Sequence, residues 1–363
     1  MRSSDLVTVA QLAEFDEIID VRAESEFAED HIPGAINCPV LNDDERARVG
    51  TIYKQVSAFD AKKIGAAVVS RNIARHIDAT LANRPRTWRP LVYCWRGGGR
   101  SGALAHVLQQ IGWRVGRLDG GYKAYRRAVI AELHELPSQF KWRVVCGLTG
   151  SGKSRLLRAL AQQGAQVLDL EAFAAHRGSV LGNLPGEPQP PQKMFESLLW
   201  NELRKFDAAR PVFVEAESKK IGNVRVPEAL IAAMWNDECI RLEAAASLRV
   251  AMLRQEYQHF VTDPTLLGAQ LDCLNALYGQ KQIGAWKALA AAGEWDTLVR
   301  ELLENHYDPA YTRSTLKHYP HLARGMRLEL PTHGDAAFDE LAAHCLKAVA
   351  QSARADGTTN RRR

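Results

Sequence analysis

Cys94 stands directly after the apolar run Leu91-Val92-Tyr93 and directly before Trp95-Arg96-Gly97-Gly98-Gly99-Arg100-Ser101. Three consecutive glycines, Gly97, Gly98 and Gly99, let the backbone curl until several N–H groups converge, and a helix opening behind them adds its partial positive charge. A cradle of this kind binds an anion and favours a thiolate on the adjoining cysteine. Arg96 and Arg100 offer charge-assisted hydrogen bonds to a bound anion or to an adduct on sulfur. Two chemistries suit the arrangement. The C-x5-R spacing of Cys94 and Arg100 fits a thiolate attacking a phosphate ester, and the same cradle fits a cysteine that carries a transferable sulfur or selenium. The other five cysteines, Cys38, Cys146, Cys239, Cys273 and Cys345, lie far apart without a CxxC pair, so neither a zinc site nor a disulfide framework is expected.

A second chemistry is written in Gly147-Leu148-Thr149-Gly150-Ser151-Gly152-Lys153-Ser154, which matches G-x4-G-K-[ST] between an apolar strand and a helical segment. Backbone N–H groups around Gly147, Gly150 and Gly152 would wrap phosphates, Lys153 would neutralise them, and Ser154 would reach a magnesium ion. Glu215 and Glu217 follow the buried run Pro211-Val212-Phe213-Val214, where a further metal-side carboxylate is expected. Asp169-Leu170-Glu171 closes the intervening strand and leads into His176-Arg177-Gly178-Ser179, at the strand ends where α/β sheets gather ligands.

The elements that must position these groups are legible in the spacing. Ile18-Ile19 and Leu91 to Tyr93 read as short buried strands, and Ser101 to Ile111 has helical spacing. Strand–helix alternation predicts a parallel α/β sheet. His134 to Lys141, polar and carrying Pro137, is the expected linker. A second α/β unit follows, with strands at Trp142–Cys146, Gln166–Leu170 and Pro211–Glu215 and a helix at Ser154–Gln163. From Leu230 onward the pattern turns helical, as in 242–257 and 266–278. The expected division is residues 1–136, residues 137–350 with a helical C-terminal part, and a basic disordered tail, 351–363. With 363 residues, 46% hydrophobic and 25% charged, the composition is that of a globular protein. The net charge is +5, and residues 351–363 hold four arginines against one aspartate, which leaves the body at +2. No apolar stretch approaches the roughly 18 residues of a membrane span, and Met1 to Ala10 is polar, so no membrane partner is expected and the cytoplasm is the expected location.

Upstream of Cys94, Ile19-Asp20-Val21-Arg22, Glu26-Phe27 and His31-Ile32-Pro33-Gly34-Ala35-Ile36-Asn37 resemble the N-terminal rhodanese signature. Leu118-Asp119-Gly120-Gly121-Tyr122 resembles its C-terminal one, and Tyr93 stands where phosphatases commonly place a histidine. The loop is one residue longer than in ordinary rhodaneses, which suggests a bound group larger than a bare sulfur. The expected fold is therefore a rhodanese-like parallel-sheet domain, in which Asp20 and Arg22 support the cradle, followed by a P-loop NTPase-like α/β domain with a helical extension.

In that order, with Cys94-Trp95-Arg96-Gly97-Gly98, Ala175 to Ser179, Gln189 to Lys193 before Phe195-Glu196, Glu215 to Gly222, and Tyr307-Asp308-Pro309-Ala310-Tyr311, the chain resembles the tRNA 2-selenouridine synthase family over about residues 5 to 320. It departs at Ala172-Phe173, where the family pattern has Gly-Leu. The resemblance implies replacement of sulfur by selenium in wobble 2-thiouridine of tRNA, with selenophosphate as donor and an S-geranyl intermediate made from geranyl diphosphate. It implies Cys94 as the selenium-transfer residue, a P-loop that holds geranyl diphosphate or Mg and ATP, Arg177 at a donor or tRNA phosphate, and His176 as proton or hydrogen-bond donor. A selenophosphate-producing enzyme is a further expected partner. Two other readings stay open: a cysteine phosphatase or sulfurtransferase fused to a small-molecule kinase, and a nucleotide-controlled RNA-binding module with an inert cysteine loop.

Overall fold

A computed structural model describes residues 5–359. It separates into two compact units: the chain up to Glu132 together with Pro191–Asn201, and Leu133–Pro190 together with the chain from Glu202 onward.

The first unit is built on five parallel strands, β1 (Leu6–Val7), β2 (Glu17–Asp20), β3 (Ile36–Asn37), β4 (Pro90–Tyr93) and β5 (Gly116–Leu118), in the order β1-β5-β4-β2-β3. β4 is buried along its whole length, as its uninterrupted apolar run requires of a central parallel strand. Ile19, Val92, Leu104 and Leu108 form the core beneath it with Val21 and Val40. Register pairs Tyr93 with Asp20, so the loop that begins at Cys94 leaves the sheet beside the Asp20–Arg22 segment.

Residues 191–201, expected within the second domain, pack instead with the first unit. The helix Gln192–Leu203 lays Trp200 edge-on to Tyr125 at 5.4 Å, and Ser197 Oγ donates to the buried Asp30 at 2.7 Å. Arg126 closes the contact through Glu196 and the Lys193 carbonyl. The expected linker, 134–141, is no open tether: the helix Gly121–Glu135 passes into a 3-10 turn, Leu136–Gln139, and Pro137 and Phe140 are buried. The Trp142 indole N–H donates to the Pro137 carbonyl at 2.9 Å, which uses the polar group that a linker would have left to water.

The second unit carries β6 (Trp142–Cys146), β7 (Gln166–Leu168), β8 (Val212–Glu215), the short antiparallel pair β9 (Lys220–Ile221) and β10 (Val224–Arg225), then β11 (Glu238–Ala244) and β12 (Met326–Leu330). The main sheet is parallel in the order β12-β11-β6-β8-β7. Two elements depart from the sequence expectation. Leu170 is helical rather than the end of a strand, because the Asp169 side chain caps Leu170–Ala174 by accepting from the Ala172 N–H at 2.9 Å. Leu242 to Ala244 belong to β11, and the helix that was expected from 242 begins at Ala246. The departure at Ala172 is without strain, since that residue lies in the helix, and the left-handed turn falls on Ala175.

A helical extension packs its own core from Phe260, Leu267, Leu271, Trp286, Leu298 and Leu302. The C-terminal helix Asp335–Thr359 buries Phe338, Ala342, Cys345 and Val349 against the sheet core. It absorbs residues 351–359, expected as a disordered tail, because an anchored helix is readily prolonged through the alanine-rich stretch Ala348-Val349-Ala350-Gln351-Ser352-Ala353. Arg361 to Arg363 lie outside the described residues.

Candidate active site

At the end of β4 the chain turns through Cys94 to Gly98 into the helix Gly99–Ile111. Cys94 is buried, and its Sγ lies 3.2 Å from the Ser101 hydroxyl, itself fully buried. Among the described residues, no N–H group from Arg96 to Gly99 donates to a protein acceptor, so the donors the glycine run implied remain available to an anion. The loop is stapled from behind: the Tyr122 N–H donates to the Cys94 carbonyl at 2.8 Å and the Lys123 N–H to that of Trp95 at 3.1 Å. Gly121, at φ +57°, is required there, because a Cβ would overlap the Cys94 oxygen and the Gly97 nitrogen.

Asp20 and Arg22 form a buried pair beneath the loop. The Arg22 guanidinium donates to Asp20 at 2.6 to 3.0 Å and to the Asp30 carbonyl at 2.6 Å, with Tyr122 stacked 4.0 Å above it. Burial pulls the guanidinium pKa down, but the Asp20 hydrogen bond and charge outweigh it, and the group stays ionised. The two arginines of the loop have different situations. Arg96 is exposed and without an ion-pair partner among the described residues, whereas Arg100 donates to Glu26 at 2.9 Å. Burial raises the Glu26 carboxyl, yet the Arg100 hydrogen bond and charge prevail and hold it below its usual value. Arg100 is thus committed to a carboxylate, and Arg96 is the cation of the cradle that has no ion-pair partner among the described residues.

In the second unit the loop after β6 rises into the helix Lys153–Gln162. Lys153 Nζ donates to the Gly147 carbonyl at 2.9 Å and lies 3.4 Å from Glu215 and 5.5 Å from the Tyr311 ring centroid. Burial lowers the ammonium pKa, but neighbouring carboxylates, Glu215 foremost, raise it further and keep the charge. Ser154 Oγ contacts Glu215 at 2.9 Å and Glu171 at 3.3 Å. Glu171, Glu215 and Glu217 place carboxylate oxygens within 4.8 Å of one another. Burial and mutual repulsion push Glu217 up to about 8 and Glu171 well above its usual value. Gly178 closes this cluster, since a Cβ there would stand 2.6 Å from Glu217 Oε1 and 2.8 Å from Glu171 Oε1.

These groups face a cleft of about 390 Å³ that is also lined by His176, Arg177 and Ser179. His176 accepts the Gly178 N–H on Nδ1 at 3.1 Å, and burial lowers its pKa, so it is a neutral imidazole whose proton sits on Nε2. It braces its own loop and has a hydrogen bond, not a cationic proton, to offer. Arg177 donates to the Glu256 carbonyl at 2.5 Å and covers the Tyr257 ring at 4.8 Å. Ser179 Oγ lies 3.5 Å from the Tyr257 hydroxyl.

Several participants escaped the sequence reading of chemistry. Glu171 completes the carboxylate cluster, although in sequence it looked only like a strand end. Arg249 donates to the Thr149 carbonyl at 2.8 Å and pairs with Asp308, and the Gly147 N–H donates to the Tyr311 hydroxyl at 2.7 Å. The Tyr307-to-Tyr311 motif therefore holds the phosphate loop from 164 residues away. The one sequence signal for this was the motif itself, which named no partner.

Fold and loops define a class: an α/β protein that joins a rhodanese-type cysteine loop to a phosphate-loop domain. The rhodanese-like domain family matches residues 6–128, and the tRNA 2-selenouridine synthase AAA domain family matches residues 140–276. The chain is 31% identical to the tRNA 2-selenouridine synthase of Bdellovibrio bacteriovorus, over 86% of this chain and 92% of that one. It is 35% identical to that of Shewanella halifaxensis, over 81% and 87% respectively. The match to the Nitrosomonas europaea relative, at 37% identity, covers 66% of this chain and 63% of that protein. The chain belongs to the tRNA 2-selenouridine synthase family. No helix among the described residues is long and apolar enough to cross a membrane.

Proposed function

We propose that this protein is a tRNA-modifying transferase of the cytoplasm that replaces sulfur by selenium in wobble 2-thiouridine, in two steps served by the two loops. The carrying observation is that one chain holds both a glycine cradle at a buried cysteine and a charged phosphate loop. In the first step the thiouridine sulfur attacks C1 of geranyl diphosphate, the C–O bond breaks and diphosphate leaves. The phosphate loop supports that departure through Lys153 and the N–H groups around Gly150 and Gly152. In the second step the selenophosphate selenium attacks C2, the C2–S bond breaks, and the geranyl thiolate leaves and takes up a proton. Water then cleaves the Se–P bond, so that phosphate departs and selenium stays on C2. The N–H groups of the cradle and the exposed Arg96 hold the anionic donor beside Cys94, the residue proposed to handle selenium. A partner enzyme that makes selenophosphate follows from the donor.

The donor set around Ser154 fits a magnesium ion: one hydroxyl and three carboxylates, all hard oxygen ligands, drawn so close that Glu217 resists ionisation without a cation. Ser154 and Glu215 would hold it, with Glu171 and Glu217 behind them. Such an ion would neutralise diphosphate charge. Arg177 and Ser179 lie on the rim available to the donor or to a tRNA phosphate.

The test is mass spectrometry of tRNA nucleosides after incubation with 2-thiouridine tRNA, geranyl diphosphate and selenophosphate. Omission of selenophosphate should leave S-geranyl-2-thiouridine, and omission of geranyl diphosphate should leave the thiouridine unchanged. Turnover of thiosulfate or a phosphate ester without tRNA, and no change in the tRNA, would instead identify a sulfurtransferase or phosphatase joined to a kinase. A tRNA that binds and emerges unmodified with every donor would identify a binding module.

A further inference from the structure

Beside the phosphate cleft, the second unit contains an apolar chamber walled by the helices Ala246–Glu256, Gln258–Thr262, Pro264–Asp272 and Trp295–Leu302. Phe260, Leu267, Leu298 and Leu302 face it and are buried. Four residues, Thr149, Ser179, Leu253 and Tyr257, line both this chamber and the cleft. Thr149 belongs to the phosphate loop itself, and Leu253 packs on that loop closely enough that a Cβ at Gly150 would lie 2.7 Å from it. At the boundary the Ser179 and Tyr257 hydroxyls lie 3.5 Å apart, with the Tyr257 ring between Phe260, stacked at 5.7 Å, and Arg177.

A site for phosphate alone has no use for an apolar wall, and a closed hydrophobic core has no reason to share its lining with a phosphate loop. The combination suits a molecule that is ionic at one end and hydrocarbon at the other. We infer that the chamber receives the far end of the hydrocarbon tail of the diphosphate ester held at Lys153 and Ser154, and that its size sets the accepted tail length. This rests on the reading of the phosphate loop as a prenyl diphosphate site. The chamber has about 60 Å³ and the cleft about 390 Å³, so most of the tail lies along Leu253 and Tyr257 in the cleft and only its terminal branch passes the Ser179–Tyr257 boundary. A five-carbon tail ends in the cleft, a ten-carbon tail reaches the chamber, and a fifteen-carbon tail overfills it.

Each methylene buried from water is worth about fourfold in affinity. Titration calorimetry on the full chain with Mg²⁺ compares inorganic diphosphate with dimethylallyl, geranyl and farnesyl diphosphates. Geranyl diphosphate should bind at least about 30-fold more tightly than dimethylallyl diphosphate and more tightly than farnesyl diphosphate. Val299→Phe and Val261→Phe, each at a half-buried lining position, should shrink the geranyl advantage to within about threefold and leave inorganic diphosphate binding unchanged. Leu298→Ala should enlarge the chamber and shift preference toward farnesyl diphosphate. Retained inorganic diphosphate binding shows that a variant is folded with its phosphate loop intact. Equal affinity for dimethylallyl and geranyl diphosphates in the wild type, or a geranyl preference that survives in folded Phe variants, overturns the tail assignment and leaves the phosphate-loop reading standing. If the wild type binds neither inorganic diphosphate nor any ester, the phosphate-loop reading fails and the tail assignment falls with it.

Discussion

Glu217 illustrates how a single half-buried carboxyl in a crowded cluster links the site to stability. Its pKa in the folded chain is about 8, above the usual carboxylate range that applies when unfolded. Between those values the folded state retains a proton that the unfolded state has lost, so stability without a divalent cation should fall as pH rises from about 5 to 8. Binding of a magnesium ion at the proposed site would displace that proton and remove the slope. Thermal melts across this range, with and without Mg²⁺, check both statements, and Glu217→Gln should flatten the cation-free curve. Cys94 gives the matching chemical test. Cys94→Ser keeps a hydrogen-bonding atom next to Ser101 and should leave the fold and tRNA binding intact, yet abolish selenouridine formation, because a hydroxyl at neutral pH is not the nucleophile that a thiolate is. Nucleoside analysis that found selenation at near wild-type rates would remove Cys94 from the mechanism.

At the scale of elements, the phosphate loop is held by its following helix and by the distant helix Asp308–His318. Lys153→Ala should slow geranylation first, at least tenfold at low geranyl diphosphate, while selenation of supplied S-geranyl tRNA continues. Rates of the two half-reactions measured separately decide this. Asp308 pairs with the almost fully buried Arg249, whose other donor goes to the Thr149 carbonyl. Asp308→Ala leaves that guanidinium short of an acceptor and should cost about 1–3 kcal/mol in a denaturant melt, with weaker diphosphate binding as the loop loosens.

For the whole molecule, the first unit includes a helix that arrives from far along the chain. Trp200 is buried, packs on Tyr125 and donates to Glu132 at 2.9 Å, and Ser197 serves the buried Asp30. A fragment of residues 1–136 lacks these partners and leaves the Asp30 carboxylate with its Tyr122 donor but without that of Ser197. It should melt well below the first-unit transition of the full chain, and Trp200→Ala in the full chain should lower that transition by about 3–5 kcal/mol. Calorimetry of both forms measures the difference.

The sequence alone determined the loops, because each chemistry depends on local order: glycines beside Cys94, and Gly150, Gly152, Lys153 and Ser154 within one turn of chain. It also determined the alternation of buried strands and helices, since a parallel sheet covered on both faces demands unbroken apolar runs such as Leu91 to Tyr93. Boundaries were less legible where a cap decides, as Asp169 does for the helix that takes Leu170. Only the tertiary structure decided which charges meet. Arg96 and Arg100 are alike in sequence, but Glu26 pairs with Arg100 and, among the described residues, no carboxylate pairs with Arg96. Glu171 joins Glu215 and Glu217 only because β7 and β8 are neighbours, and Tyr311 reaches Gly147 only because the helical extension folds back on the sheet. Such pairings arise from long-range packing, which local spacing does not encode.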